Sequence, residues 1–285
     1  MLEDPVVVAA IIMTGLGVVF ATLLATADHF LKVEEDPRLE AVEELLPGNN
    51  CGACGEPGCQ AFARKLVNAE TSPSRCTVSG QEALVEIANL LGVDVGTQEK
   101  LVARLKCAGG EGLVGELAAY QGISSCRAAV IVDGGGQACT WGCLGLGDCE
   151  KACTFGAIHM NWEGLPSVNI DACTACGDCV DVCPLDLFTL EPLANQLFVQ
   201  CNSPLTGEAA RSRCSVACDA CGRCAADAPP GAIEIVDGLP VINWDNEKRP
   251  TQSATWRCPT RAIVWLEGGQ FEEPLVEISR ERIRA

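Results

Sequence analysis

The residues best placed to do chemistry are the cysteines, twenty of them, eight in tight C-x-x-C runs. Thiolates at that spacing can converge on one iron–sulfur cluster. Two other uses compete. Secreted disulfide scaffolds are dense in cysteine but short, unlike a chain of 285 residues. Zinc ribbons pair one C-x-x-C with another, and the first Cys-rich segment lacks that pattern. His29 and His159 are the only histidines, too few for haem ligation or His-rich zinc and copper sites. The chemistry expected is therefore one-electron exchange through thiolate-bound iron.

The first candidate set lies in NNCGACGEPGCQAFARKLVNAETSPSRC, with Cys51, Cys54, Cys59 and Cys76 as ligands. Gly52, Gly55 and Gly58 permit the turns that wrap backbone amides round a cluster, and a helix over 60–70 would carry Cys76 back to the other three. Ahead of it, VEEDPRLEAVEELLPG places Leu39, Val42, Leu45 and Leu46 at helical spacing. Earlier still, Val6–Ala27 carries no charge and is long enough for a transmembrane helix. A cleaved signal peptide would want a basic start, yet the chain opens MLEDP. A core helix rarely stays apolar on every face for this length. A retained single-pass anchor in the inner (cytoplasmic) membrane is expected. Thiolates meant for iron need a reducing compartment, so the cysteine-bearing bulk is expected in the cytoplasm.

From the apolar segment through DPRLEAVEELLPGNNCGACGEPGC the chain resembles the B subunit of the Rnf-type ion-translocating electron transport complex, a ferredoxin:NAD oxidoreductase, and the likeness runs along essentially the whole chain. The resemblance implies an N-terminal helix, a four-Cys [4Fe–4S] domain and ferredoxin-like domains. It also implies electrons arriving from reduced ferredoxin and leaving into integral membrane subunits coupled to NAD and ion translocation.

Downstream the sequence repeats with an offset of 75 residues: Cys126 matches Cys201, Cys139 matches Cys214, Cys143 matches Cys218, Cys149 matches Cys224 and Cys183 matches Cys258. Each unit reads as a two-cluster ferredoxin, in which the last Cys of each loop crosses to the other cluster. In the first unit Cys173, Cys176 and Cys179 form a triplet, and the crossing rule adds Cys153. The other cluster takes Cys143, Cys149 and the crossing Cys183. Its middle position is Leu146, so a ligand must come from elsewhere, and Cys139 is the nearest candidate. In the second unit Cys218, Cys221 and Cys224 form a triplet completed by Cys258. The partner site would need Cys where Ala228, Lys248, Thr251 and Ala254 stand, which reads as the clean loss of one cluster. Cys107, Cys126, Cys201 and Cys214 are left over. They could pack as buried inert thiols or hold an extra site. Four [4Fe–4S] clusters are expected, and a fifth is the open alternative.

The fold class expected is α+β: an anchor at 1–28, a four-Cys domain at 29–80, a helical linker at 81–125, and ferredoxin-like units at 126–200 and 201–285. No Walker motif or dinucleotide fingerprint is present, and GGG at 134–136 reads as a turn. No catalytic residue is expected; any NAD chemistry belongs to another subunit. A net charge of −18 argues against nucleic acid as a partner. Residues 201–262 hold seven basic and seven acidic residues, neutral against an acidic remainder. Arg211, Arg213, Arg223, Lys248, Arg249, Arg257 and Arg261 there suggest docking of an acidic soluble ferredoxin or flavodoxin. Two rival readings are an anchored donor to a soluble oxidoreductase without ion pumping, and a corrinoid-protein subunit. The latter expects a large barrel after the four-Cys module, where this sequence has ferredoxin-like units.

Overall fold

The computed structural model describes residues 5–31, 36–97 and 99–271. Its first element, α1 (Pro5–Leu31), is a 27-residue helix, about 40 Å long at the usual rise per residue. Apolar side chains from Ile11 to Leu24 stand exposed, Met13 and Leu24 at 70%. Among the described residues no helix is long and apolar enough to cross a membrane. The transmembrane anchor expected at Val6–Ala27 thus has its helix here, but not a span.

The four-Cys module is a three-helix core. Asp36 caps α2 (Pro37–Leu45) by accepting the Arg38 N–H at 2.9 Å, with Pro37 in the first turn. Leu39, Val42 and Leu46 pack against Phe62, Ala63 and Leu66 of α3 (Cys59–Val67) and against Leu84 and Ile87 of α4 (Gln81–Leu91). Helix α4, which the sequence places in a linker, therefore belongs to this module.

Two similar α+β units follow. In the first, β1 (Leu101–Leu105) pairs antiparallel with β4 (Phe188–Pro192), Leu105 opposite Phe188. Between them lie α5 (Cys126–Ile131), α6 (Asp148–Ala152), the hairpin β2 (Ile158–Met160)/β3 (Pro166–Val168) and α7 (Asp178–Val182). In the second, β5 (Leu197–Val199) pairs with β8 (Ile263–Trp265). They bracket α8 (Gly207–Arg211), α9 (Arg223–Asp227), the hairpin β6 (Ile233–Val236)/β7 (Leu239–Ile242) and α10 (Ser253–Trp256). The sequence starts the first unit at 126 and ends it at 200. The structure gives it β1, whose Val102, Ala103 and Leu105 are buried, and gives β5 to the second unit.

Beyond β8 the chain returns across the first unit as a strap. The Gln270 side chain accepts the Leu105 N–H at 2.8 Å and donates to the Leu105 carbonyl at 2.6 Å. The Arg104 guanidinium donates to the Gly268 carbonyl at 2.8 Å, and the Ser167 hydroxyl to the Phe271 carbonyl at 2.7 Å. Thiols are part of every core: Cys76 joins the helical module, Cys107 and Cys179 the first unit, and Cys201, Cys214, Cys218 and Cys224 the second.

Candidate metal centres

All twenty cysteines are free thiols, and the fold gathers them in five groups of four. In the helical module Cys54 lies within electrostatic reach of Cys51 and Cys76, and Cys59 packs into the same core. Asn50 closes this loop by accepting the Cys59 N–H at 2.8 Å, and a Cβ on Gly58 would stand 2.8 Å from that same Asn50 oxygen. The Ser79 hydroxyl donates to Cys76 Sγ at 3.1 Å.

In the first unit Cys153, Cys173, Cys176 and Cys179 line one hollow. Cys126, Cys143, Cys149 and Cys183 line a second. Cys153 and Cys183 each sit across from the loop that precedes them in sequence, and each Sγ accepts a backbone N–H four residues on, from Ala157 at 3.2 Å and Leu187 at 3.5 Å. In the second unit Cys218, Cys221, Cys224 and Cys258 line a hollow of the same build. Its loop C-D-A-C-G matches C-T-A-C-G of the first unit in backbone as well as letters, since Ala175 and Ala220 both take left-handed φ of 56°. An alanine there costs about 1–2 kcal/mol. Cys107, Cys139, Cys201 and Cys214 line the fifth hollow.

The structure differs from the sequence-based grouping at two positions. Cys139, expected beside Cys143 and Cys149, faces Cys107, Cys201 and Cys214. Cys126, expected among the extra thiols, fills the place opened by Leu146. Asp148 is the physical reason for the second change. Its carboxylate accepts the Ser125 hydroxyl at 2.8 Å and the Arg127 N–H at 3.3 Å, which pins the start of α5 beside Cys149. Lys151 adds a bond to the Ser124 carbonyl at 2.9 Å. The repeat held a signal for this arrangement: Cys214, the mate of Cys139, precedes a quartet that is complete without it.

Where the second unit lacks cysteines, side chains meet instead. Ala254 is buried with Leu197, Cys224, Ile233 and Ile263, and Ala228 and Trp244 pack onto them. Arg257 donates from Nε to Asp227 at 2.8 Å and Ser253 Oγ to the Asp227 carbonyl at 3.3 Å, so α9 and α10 close together over the site.

Burial sets the electrostatics. Desolvation pushes the thiols of Cys107, Cys149 and Cys179 up to about 12 and that of Cys218 to about 11, and it raises Cys143 further. Neighbouring thiols add to each shift, while backbone N–H groups oppose it. Such groups stay protonated at neutral pH until a cation replaces the proton. Among the described residues no group of three His, Cys, Asp or Glu is placed to hold a single metal ion. The donor set is all sulfur, which suits iron–sulfur cubanes.

The basic residues of the second unit divide in two. Arg211 is tied to the buried carboxylate of Asp219 at 2.6 Å, Arg257 to Asp227, and Arg213 donates to the Ala138 carbonyl at 2.8 Å. Arg223, Lys248, Arg249 and Arg261 are exposed and make no such tie among the described residues. Cys221 is the one cysteine classed as exposed, so this quartet comes closest to solvent.

Residues 46–78 match the family model described as a putative Fe–S cluster, and residues 166–189 match the 4Fe–4S binding domain. The chain is 36% identical over 247 residues to the B subunit of the Na(+)-translocating ferredoxin:NAD(+) oxidoreductase complex of Acetobacterium woodii, covering 87% of this chain and 74% of that one. It is 36% identical to the B subunit of the ion-translocating oxidoreductase complex of Methanosarcina acetivorans, covering 88% and 95%. It is also 36% identical to the B subunit of the proton-translocating ferredoxin:NAD(+) oxidoreductase complex of Clostridium ljungdahlii, covering 93% and 94%.

Proposed function

Because the chain belongs to the family of B subunits of ion-translocating oxidoreductase complexes, we propose that it relays electrons from reduced ferredoxin or flavodoxin to integral membrane subunits. When bound, [4Fe–4S] clusters supply one-electron exchange. The quartets Cys51/Cys54/Cys59/Cys76, Cys153/Cys173/Cys176/Cys179, Cys126/Cys143/Cys149/Cys183 and Cys218/Cys221/Cys224/Cys258 hold them, the third with Cys126 in the role first given to Cys139. The observation that carries this reading is the sorting of the thiols into separate groups of four, those of the two α+β units each lining a hollow and met by backbone N–H groups. Those N–H groups favour the anionic thiolate and so tune the potential.

The exposed Cys221 end, with Arg223 in its lining and Arg261 between the lining residues Thr260 and Ala262, receives the acidic donor. Through its exposed apolar side chains helix α1 attaches the chain to the inner membrane, with the cysteine units on the cytoplasmic side. Reversing Arg223 and Arg261 to Glu slows reduction by ferredoxin roughly tenfold or more at low salt and flattens its salt dependence, measured by stopped-flow bleaching of the cluster absorbance. Removing residues 1–31 shifts the protein from the membrane to the soluble fraction. Iron and sulfide assays on anaerobically purified chain, with co-purification of membrane subunits, test the whole reading. Zinc or linked cystines in place of iron would end it, and co-purification with a soluble enzyme alone would favour the anchored-donor alternative.

A further inference from the structure

The segment between α4 and α5 does something that neither the repeat nor the family models describe. Residues 113–118 lie between the two units and bond to both. Ser215 N–H donates to the Leu113 carbonyl at 2.9 Å, Gly115 N–H to the Arg213 carbonyl at 2.9 Å, and Ala138 N–H to the Gly115 carbonyl at 2.7 Å. Val114 bridges Cys214 and Glu116 bridges Gln137. This ladder turns Cys139 away from Cys143 and towards Cys214.

The resulting hollow is built rather than incidental. It draws one thiol from the segment after β1, one from the first unit and two from the second, and Cys107, Cys139, Cys201 and Cys214 are all buried. Two glycines make room beside the sulfurs. A Cβ on Gly109 would stand 3.0 Å from Cys214 Sγ, and one on Gly142 would stand 3.4 Å from Cys139 Sγ and 3.6 Å from Cys107 Sγ. Backbone N–H groups point at the sulfurs: Cys143 N–H reaches Cys107 Sγ at 3.3 Å, and those of Trp141 and Val216 serve Cys139 and Cys214.

The neighbours of this hollow give it a place in a series. Thr77, next to Cys76, donates to the carbonyl of Thr174, next to Cys173, at 2.6 Å. Cys149 and Cys183 of one quartet pack against the same buried core as Cys153, Cys173 and Cys179 of the other, which joins the two quartets of the first unit. The bond between Cys143 and Cys107 joins the first unit to the hollow, and Cys201 and Cys214 share one buried cluster with Cys218 on its far side.

We propose that Cys107, Cys139, Cys201 and Cys214 hold a fifth [4Fe–4S] cluster that joins the two units into one unbranched series, running from Cys51–Cys76 to the exposed Cys221. This rests on the relay reading above. Each hop along such a series oxidises one centre and reduces its neighbour by one electron, with reduced ferredoxin as the electron source and no bond made or broken in the protein.

Iron analysis of the anaerobic full-length chain needs no variant: about twenty irons support the assignment at four per cluster, and about sixteen overturn it while leaving the relay reading intact. Absence of iron altogether would overturn both. Cys107→Ser and Cys139→Ser should remove the same EPR component, while Cys126→Ser and Cys149→Ser should remove a different shared one. If Cys139→Ser and Cys149→Ser instead lose a common signal, the assignment fails. In freeze-quench EPR with substoichiometric reduced ferredoxin, electrons in the wild-type chain spread over all centres. In Cys107→Ser they remain on one side of the break; unchanged spreading would refute the joining role.

Discussion

At the scale of single residues, the thiols carry the behaviour that is easiest to measure. Cys107, Cys149 and Cys179 are held near 12 by burial, so each loses its proton only when iron arrives. Acid therefore opposes cluster retention. Stripping by a chelator should accelerate as pH falls from 8 to 6, with retention changing ~tenfold per pH unit for each displaced proton, followed by loss of visible absorbance. The metal-free chain has the opposite dependence. Its raised thiols stabilise the fold fully below their ordinary value of 9.0 and lose that contribution as pH rises through about 12, which a melting series in alkali would record. Residue identity was also what the sequence displayed best. The triplets at Cys173–Cys179 and Cys218–Cys224 can be read from spacing alone, because three ligands on one loop share a local backbone turn.

At the scale of elements, spacing loses its authority. Cys139 stands four residues before Cys143, yet the two face different hollows, since the 113–118 ladder bonds to residues 136–138, just before Cys139, and to Arg213. No periodicity in the sequence announces that ladder, and β1 was equally hidden because its partner β4 lies far along the chain. The placement of Cys126 hangs on Asp148. Burial works to raise that carboxyl, but hydrogen bonds from Ser125 and from the Arg127 and Cys126 N–H groups outweigh it, and the acid is held below its usual range. Asp148→Ala should cost about 1.5–3 kcal/mol and weaken the EPR signal shared by Cys126 and Cys149. The strap has its own test. Gln270→Ala removes both bonds to Leu105, at a cost of about 1–3 kcal/mol, and faster amide exchange at Leu105 should accompany the lower melting temperature.

At the scale of the whole molecule, aromatic residues are only 5% of the chain, and thiols occupy core positions in all three globular parts. Full removal of iron should therefore abolish the near-ultraviolet dichroism and lower the melting temperature sharply, well beyond the effect of any single ligand change. The second unit is the informative exception. Around Ala254, where cysteines are lacking, side chains pack together and Arg257 pairs with Asp227, so that corner should keep its amide protection after stripping. The strap at 268–271 also bears on how the molecule is made. Its bonds to Leu105 join positions 165 residues apart in sequence, so β1 leaves the ribosome long before the residues that cover it. Nascent chains halted at Trp265 should thus expose the β1 edge, and completion of the first unit becomes a late event of biosynthesis, awaiting the same stretch of translation that follows the second unit.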